Sequence, residues 1–360
     1  MRRAAVLWLV VGCACSARPP DDGFADHTQV GLRSKDDYAA LAATANGRSE
    51  VKFIITRFDA DGAETRFMDS GFYTLHDEWY WFRLLNGHGV PGLSTAPVSG
   101  HTFDSVAAIY AWAKVTTPLP LDLRWVDDGR LYSPRFYTLA LDLRPRAFGV
   151  GTLLHVPARA TRPERWAFQL EFTDAPTHLE VARFFTQLRA SLPPDIADAL
   201  HWVVRSTRQE VVAQTMEHQQ LPWHDRILRL EDLASPGEVE VYNEGLTAGR
   251  LRFFPRGAPI EGTSDTDVVV LADVPDVLPP AAGVVTATPQ TPLAHLNLLA
   301  RNRGIPNGYH SDVLDDAALL ALAQAHTPVV VKMRAPNELI IKPISEEKFA
   351  QWLQLRGKAP

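Results

Sequence analysis

Cysteine is almost absent from this chain of 360 residues: there are two, Cys13 and Cys15, and none follows. Disulfides and thiolate metal sites are therefore excluded from everything beyond the first few residues. Positive charge is not in excess either, since the net charge is −6 and the sequence pI about 6.1, and no basic stripe interleaved with aromatics occurs. Nucleic acid has no electrostatic case as a partner. There is no Walker lysine, no dinucleotide fingerprint and no Gly-x-Ser-x-Gly elbow. Gly87-His88-Gly89 and Gly149-Val150-Gly151 lack the strand-glycine-helix frame of a phosphate loop. Internal repeats and low-complexity tracts are missing, and 46% hydrophobic residues over this length suffice for two ordinary cores.

The longest apolar run is Ala4 to Val11, preceded by Arg2 and Arg3 and followed by Gly12-Cys13. Residues 1–16 read as a signal peptide, too short for a permanent membrane span. Val10-Val11-Gly12-Cys13 resembles the lipobox of bacterial lipoproteins, which implies lipidation at Cys13, anchoring in the membrane by the lipid, and export to the periplasmic side of the cell envelope. Ordinary cleavage after a small residue, or a short uncut anchor, is the alternative.

Residues 17–47 read as a spacer and a helix capped by Ser34, ending near Asn46-Gly47. The span 48–236 reads as an α+β domain. It has strands at Val51–Phe58, Glu64–Met68, Tyr137–Leu143, Gly151–Val156 and Trp166–Phe172, then helices at about Thr177–Ser191 and Ser206–His218. The aromatic block Phe72–Phe82 contains His76, Asp77 and Glu78 but no second ligand at suitable spacing, so packing is its better explanation. His218 and His224, with Glu217 and Asp225, flank a Pro-Trp loop and read as surface residues, so no metal site is expected. In 237–345 strands at Val268–Leu271 and Gly283–Thr286 precede the stretch TATPQTPLAHLNLLARNRGIPN, Thr286 to Asn307. A helix at Asp312–Ala325 and a hairpin of Pro328–Lys332 with Leu339–Lys342 come after it. Residues 346–360 form a terminal helix and tail capped by Ser345.

The Thr286–Asn307 stretch has the most chemistry in it. Thr291 as N-cap, Pro292 in the first turn, and Gly304 with Pro306 at the stop define a helix with His295 near its start. Free amides and the dipole at a helix N-terminus disfavour an imidazolium and favour an anion. A neutral, nucleophilic His295 is expected at the edge of the apolar arc, where it reaches solvent. Thr288, Thr291, Arg301 and Arg303 are the candidate supports for a phosphoryl group on it. An ordinary packing histidine is the alternative that spacing alone leaves open.

His295 with Ala300-Arg301 and Gly304-Ile305-Pro306 resembles the phosphohistidine motif of the phosphoenolpyruvate-utilising enzymes. These include phosphoenolpyruvate synthase, pyruvate phosphate dikinase and the glucan water dikinases. Gly245–Phe254 and Asp267–Pro280 fall in the order of that family's swivelling domain, and the resemblance covers about Val239 to Pro343. VKFIITRF and LHDEWYWF are loosely similar to the region upstream of that domain in bacterial phosphoenolpyruvate/pyruvate-binding proteins. The resemblance implies a three-layer β/β/α swivelling domain after the α+β domain, and His295 as a phosphoryl carrier. Leu293-Ala294 stand where the family has Thr-Ser, so hydroxyl assistance from those positions is absent. Neither a nucleotide-binding domain nor a barrel is recognisable. ATP and Mg are thus expected only through a nucleotide-binding partner on a separate chain, and no cofactor is expected on this one. The alternative is a non-catalytic exported binding or scaffold protein that retains the fold.

Overall fold

Two sheets organise the computed structural model, which describes residues 23–45, 48–126, 129–159, 162–235, 237–275, 277–292 and 294–357. The expected signal peptide, Cys13 and Leu293 lie outside the described residues.

The first sheet runs Thr28–Val30, Glu64–Met68, Arg48–Thr56, Phe148–Val156, Arg165–Leu170, Leu200–Val204, Ile227–Arg229, with Ala43–Ala45 paired off Arg48–Thr56. Pairing is antiparallel as far as Arg165–Leu170, and the last two strands join in parallel. Thr28–Val30, which fell in the expected spacer, is thus an edge strand. Beta-branched and aromatic residues suit the pleat of the inner strands. One face, with Val51, Phe53, Ile55, Phe168 and Trp202, packs under the helices His178–Ala190, Pro194–Ala199 and Thr207–His218. The helix His76–Leu85, buried over its whole length, covers part of the other face together with Val106–Ala113. At Gly151 the chain admits no side chain, because a Cβ would lie 2.4 Å from the Gln169 carbonyl oxygen.

Tyr137–Leu143 is not a strand. Ser133 accepts from the Phe136 amide and starts a short helix, Pro134–Tyr137, which widens into the π-helical turn Thr138–Asp142. Ser followed by Pro is a helix-start signature, and here it outweighs the alternating apolar pattern. The expected Asp312–Ala325 helix is shorter, Ala317–Gln324, because Asp316 accepts from the Ala318 and Leu319 amides and caps it there. Similarly the first helix is Lys35–Leu41, ended by the Ala43–Ala45 strand.

The second sheet has seven strands in the order Val239–Asn243, Asn307–His310, Gly283–Thr286, Asp267–Leu271, Gly245–Phe254, Pro328–Arg334, Glu338–Pro343. The four from Asn307–His310 to Gly245–Phe254 are mutually parallel. The sheet is nearly closed: the amide of Val241 on one edge donates to Pro336 O in the turn at the other. Val239–Asn243 and Asn307–His310 are strands additional to those expected from the sequence. Gly249 lets neighbouring strands approach, since a Cβ there would sit 2.6 Å from Thr266 O. The His295–Asn302 helix packs on this sheet through Leu296, Leu299 and Ala300.

Candidate functional site

His295 is the first residue of its helix, so the expected cap is displaced. Ala294 is the N-cap and makes no side-chain hydrogen bond, while Thr291 and Pro292 precede the helix. Local bonding explains the shift: the Ala294 amide donates to Thr291 O, closing a turn, and Asn297 Nδ2 reaches Thr291 O and Pro292 O at 3.4 Å each. At the other end Gly304, with φ of +64°, lets the Ile305 amide donate back to Ala300 O.

The loop that delivers His295 is pinned by buried polar contacts. Gln290 and Asn307 exchange amide hydrogen bonds of 2.8 Å each, and the Gln290 amide donates to Tyr242 Oη at 2.8 Å. Tyr242 donates in turn to Glu240, whose other oxygen accepts from Arg48 Nε at 3.1 Å. A continuous chain of bonds therefore links the loop to the Arg48–Thr56 strand of the first sheet. Burial raises the Glu240 pKa against the opposing charge of Arg48. Glu238, Arg159 and Arg162 complete this ion cluster between the two sheets.

Against the first sheet, the half-buried His295 meets a polar strip. Lys52 pairs in register with Thr152 and Thr152 with Gln169, so the three point to one face, and Glu50, Glu171 and Arg205 extend the row. With Thr291, Ala294 and His295 they line a cavity of about 20 Å³, room for roughly one water molecule. Lys52 is only 5% exposed, and no carboxylate among the described residues lies within 4 Å of its ammonium. Glu171 accepts from His76 Nδ1 at 2.8 Å, and His76 Nε2 lies 2.9 Å from Gly151 O. Both ring nitrogens of His76 thus face acceptors. Burial opposes the charge of Glu171, but the His76 hydrogen bond, then the charges of His76 and Lys52, hold the carboxyl well below its usual range.

Arg130 Nη1 stands 3.5 Å from His295 Nδ1. Burial lowers the His295 pKa from 6.5 to about 3; Glu171 works against the shift, and Lys52, Arg130 and Arg205 add to it. The imidazole is neutral at physiological pH, with unprotonated nitrogen available for attack on an electrophile. On its other side opens a cavity of about 570 Å³ with apolar walls and the cations Lys114 and Arg130.

The expected supports are dispersed. Thr291 stays beside His295, but Thr288 is buried with its hydroxyl donating to Ala272 O. Thr288 instead lines a separate cavity of about 1010 Å³ at the ends of the parallel strands. Arg301 and Arg303 are exposed at the far end of the helix, about 9 and 12 Å along its axis from His295 at roughly 1.5 Å per residue. The cations that face His295 are Lys52, Arg130 and Arg205, contributed by the first sheet and its loops. In the Arg48–Thr56 strand the alternation of Glu50 and Lys52 with Val51 and Phe53 marks a polar face, but nothing local to it points to Arg130 or Arg205. His76, set aside as packing, is buried but joined to Glu171.

Among the described residues no group of three or more His, Cys, Asp or Glu is placed to hold a metal ion. Glu217 pairs with Arg229, and His224 bonds the Leu221 carbonyl. No helix among the described residues is long and apolar enough to cross a membrane. No protein-family model matches the chain, and no curated protein matches it.

Proposed function

We propose that His295 is a phosphoryl carrier in a phosphotransferase of the phosphoenolpyruvate-utilising, dikinase-like type. In this reading residues 48–236 form an α+β domain and 237–345 a β/β/α swivelling domain. A nucleotide-binding partner on a separate chain supplies ATP and Mg. The observation that carries the reading is a neutral imidazole at a helix N-terminus, at the junction of two sheets, facing Lys52, Arg130 and Arg205. A ring nitrogen attacks phosphorus, the N–P bond forms as the bond to the leaving oxygen breaks, and the ring proton is released. The cations then offset the new dianion. Incubation with the partner and ATP is expected to give an acid-labile, base-stable phosphoramidate, absent in His295→Ala. No label on a folded wild-type chain with an active partner would overturn the reading.

Export with a lipid on Cys13 belongs to the same proposal. Fatty-acid label should appear on the wild-type chain and vanish in Cys13→Ser; label persisting in that variant would remove the anchor.

A second reading, a non-catalytic exported binding or scaffold protein, is favoured by one observation. The ion cluster of Arg48 with Glu238 and Glu240 is buried, with side chains 2–3% exposed, and ties the two sheets together where a carrier arm has to move. That reading gains if phosphorylation fails.

A further inference from the structure

We propose that the cavity of about 570 Å³ beside His295 binds the small-molecule partner in phosphoryl transfer, a phosphomonoester with an apolar body. This rests on the reading of His295 as a carrier and adds the class of molecule it serves. The walls are apolar where Phe72, Leu75 and Val106 from the first domain face Leu298 and Leu299 on the His295 helix. Cations are placed at Arg130, 3.5 Å from His295 Nδ1, and at Lys114. One carboxylate, Glu78, also lines the cavity. Its oxygens already accept from the Thr74 and Leu75 amides and from the Thr74 and Tyr110 hydroxyls, donors that offset its charge toward an anion in the cavity.

A cavity of this size suits a small organic molecule, and apolar walls with a few convergent polar groups are the usual composition of such sites. The polarity is one-sided: the phosphate head meets Arg130 next to the imidazole, and the organic body lies on the apolar wall. In transfer a His295 nitrogen bonds to phosphorus, the P–O bond to the organic body breaks, and the departing oxygen takes the proton that the ring releases.

The test uses phenyl phosphate as probe, with inorganic phosphate for comparison, by ligand-observed NMR and calorimetry on the full chain. Phenyl phosphate should bind saturably and about tenfold more tightly than inorganic phosphate, the phenyl ring contributing the difference. Arg130→Gln should weaken it about tenfold, the loss of one charge-assisted contact. Ala111→Trp fills the cavity from an exposed helical position and should abolish binding with the thermal midpoint kept; Ala107→Trp repeats the test from the neighbouring turn. His295→Ala should still bind. No saturable binding, or unchanged binding in both tryptophan variants, would overturn the proposal. Absence of the phosphoramidate with saturable phenyl phosphate binding would sink the carrier reading alone. Phosphorylated His295 without such binding would sink this site alone.

Discussion

The two faces of the Arg48–Thr56 strand invite comparison, because every residue in it is buried and yet its charged residues stand on one face alone. Val51, Phe53 and Ile55 enter an apolar core with Phe168, Phe184 and Trp202. Two residues out of step, Glu50 and Lys52 face a strip with Gln169, Glu171 and Arg205. Burying apolar area stabilises the fold by roughly 25 cal/mol per Å², whereas a buried charge costs free energy unless it is paired. Apolar residues at the strip positions would have given a better core. Charges kept there, turned toward a neutral histidine from another sheet, are the groups that the proposed carrier role of His295 would use.

The largest expected effect separates the two faces. Phe53→Ala removes a ring packed on Phe67 and Phe184 and should cost about 3–5 kcal/mol in denaturant unfolding. Lys52→Met keeps the stem and removes the charge. It should change stability by no more than about 1 kcal/mol, because no carboxylate within 4 Å is left unpaired, while phosphoryl transfer to His295 falls. A loss in Lys52→Met comparable with that in Phe53→Ala would show that the strip is structural, and the contrast between the faces would collapse.

How much of this was legible in the sequence follows the range of the interactions. Gly304 ends the His295 helix as read, because its left-handed backbone is a local requirement. The Gly283–Thr286 strand has its expected bounds for the same reason, a short β-branched run between turn residues. The strip was not legible. It exists only because Lys52, Thr152 and Gln169 fall in register, although Lys52 lies about a hundred residues before the other two. Arg301 and Arg303 are near His295 in sequence, but a helix carries residues six and eight positions on to its other end. Nothing short of the pairing of the first sheet against the second could have replaced them with Arg130 and Arg205.

A middle-sized effect probes the histidine by pH. Its pKa is lowered from 6.5 to about 3, chiefly by burial. A depressed pKa contributes stability that is present above the unfolded value and lost as pH falls toward the folded one, because the unfolded chain binds the proton first. Between about pH 6.5 and 3 the wild type should therefore lose stability more steeply than His295→Gln, which cannot take up that proton. Above pH 7 the curves should run parallel. If they run parallel throughout, His295 is far more solvated than its place against the strip implies, and its neutrality owes nothing to the first sheet.

The smallest effect sharpens the comparison at the helix start. Thr291 has the right side chain for a cap but the wrong place, because the turn closed by the Ala294 amide puts it three residues too early. Ala294 has the right place and no oxygen, and its backbone, at φ −58° and ψ 134°, is already non-helical. Serine at that position should accept from the amide two or three residues on, as Ser34 and Ser345 do at their own helices. Ala294→Ser should then stabilise the chain by about 0.5–1 kcal/mol. The same hydroxyl would stand next to His295, where the resembling enzymes have one, so transfer should quicken as well. Added stability without faster transfer would mean that the hydroxyl acts on the helix alone. Faster transfer without added stability would place it on the phosphoryl group.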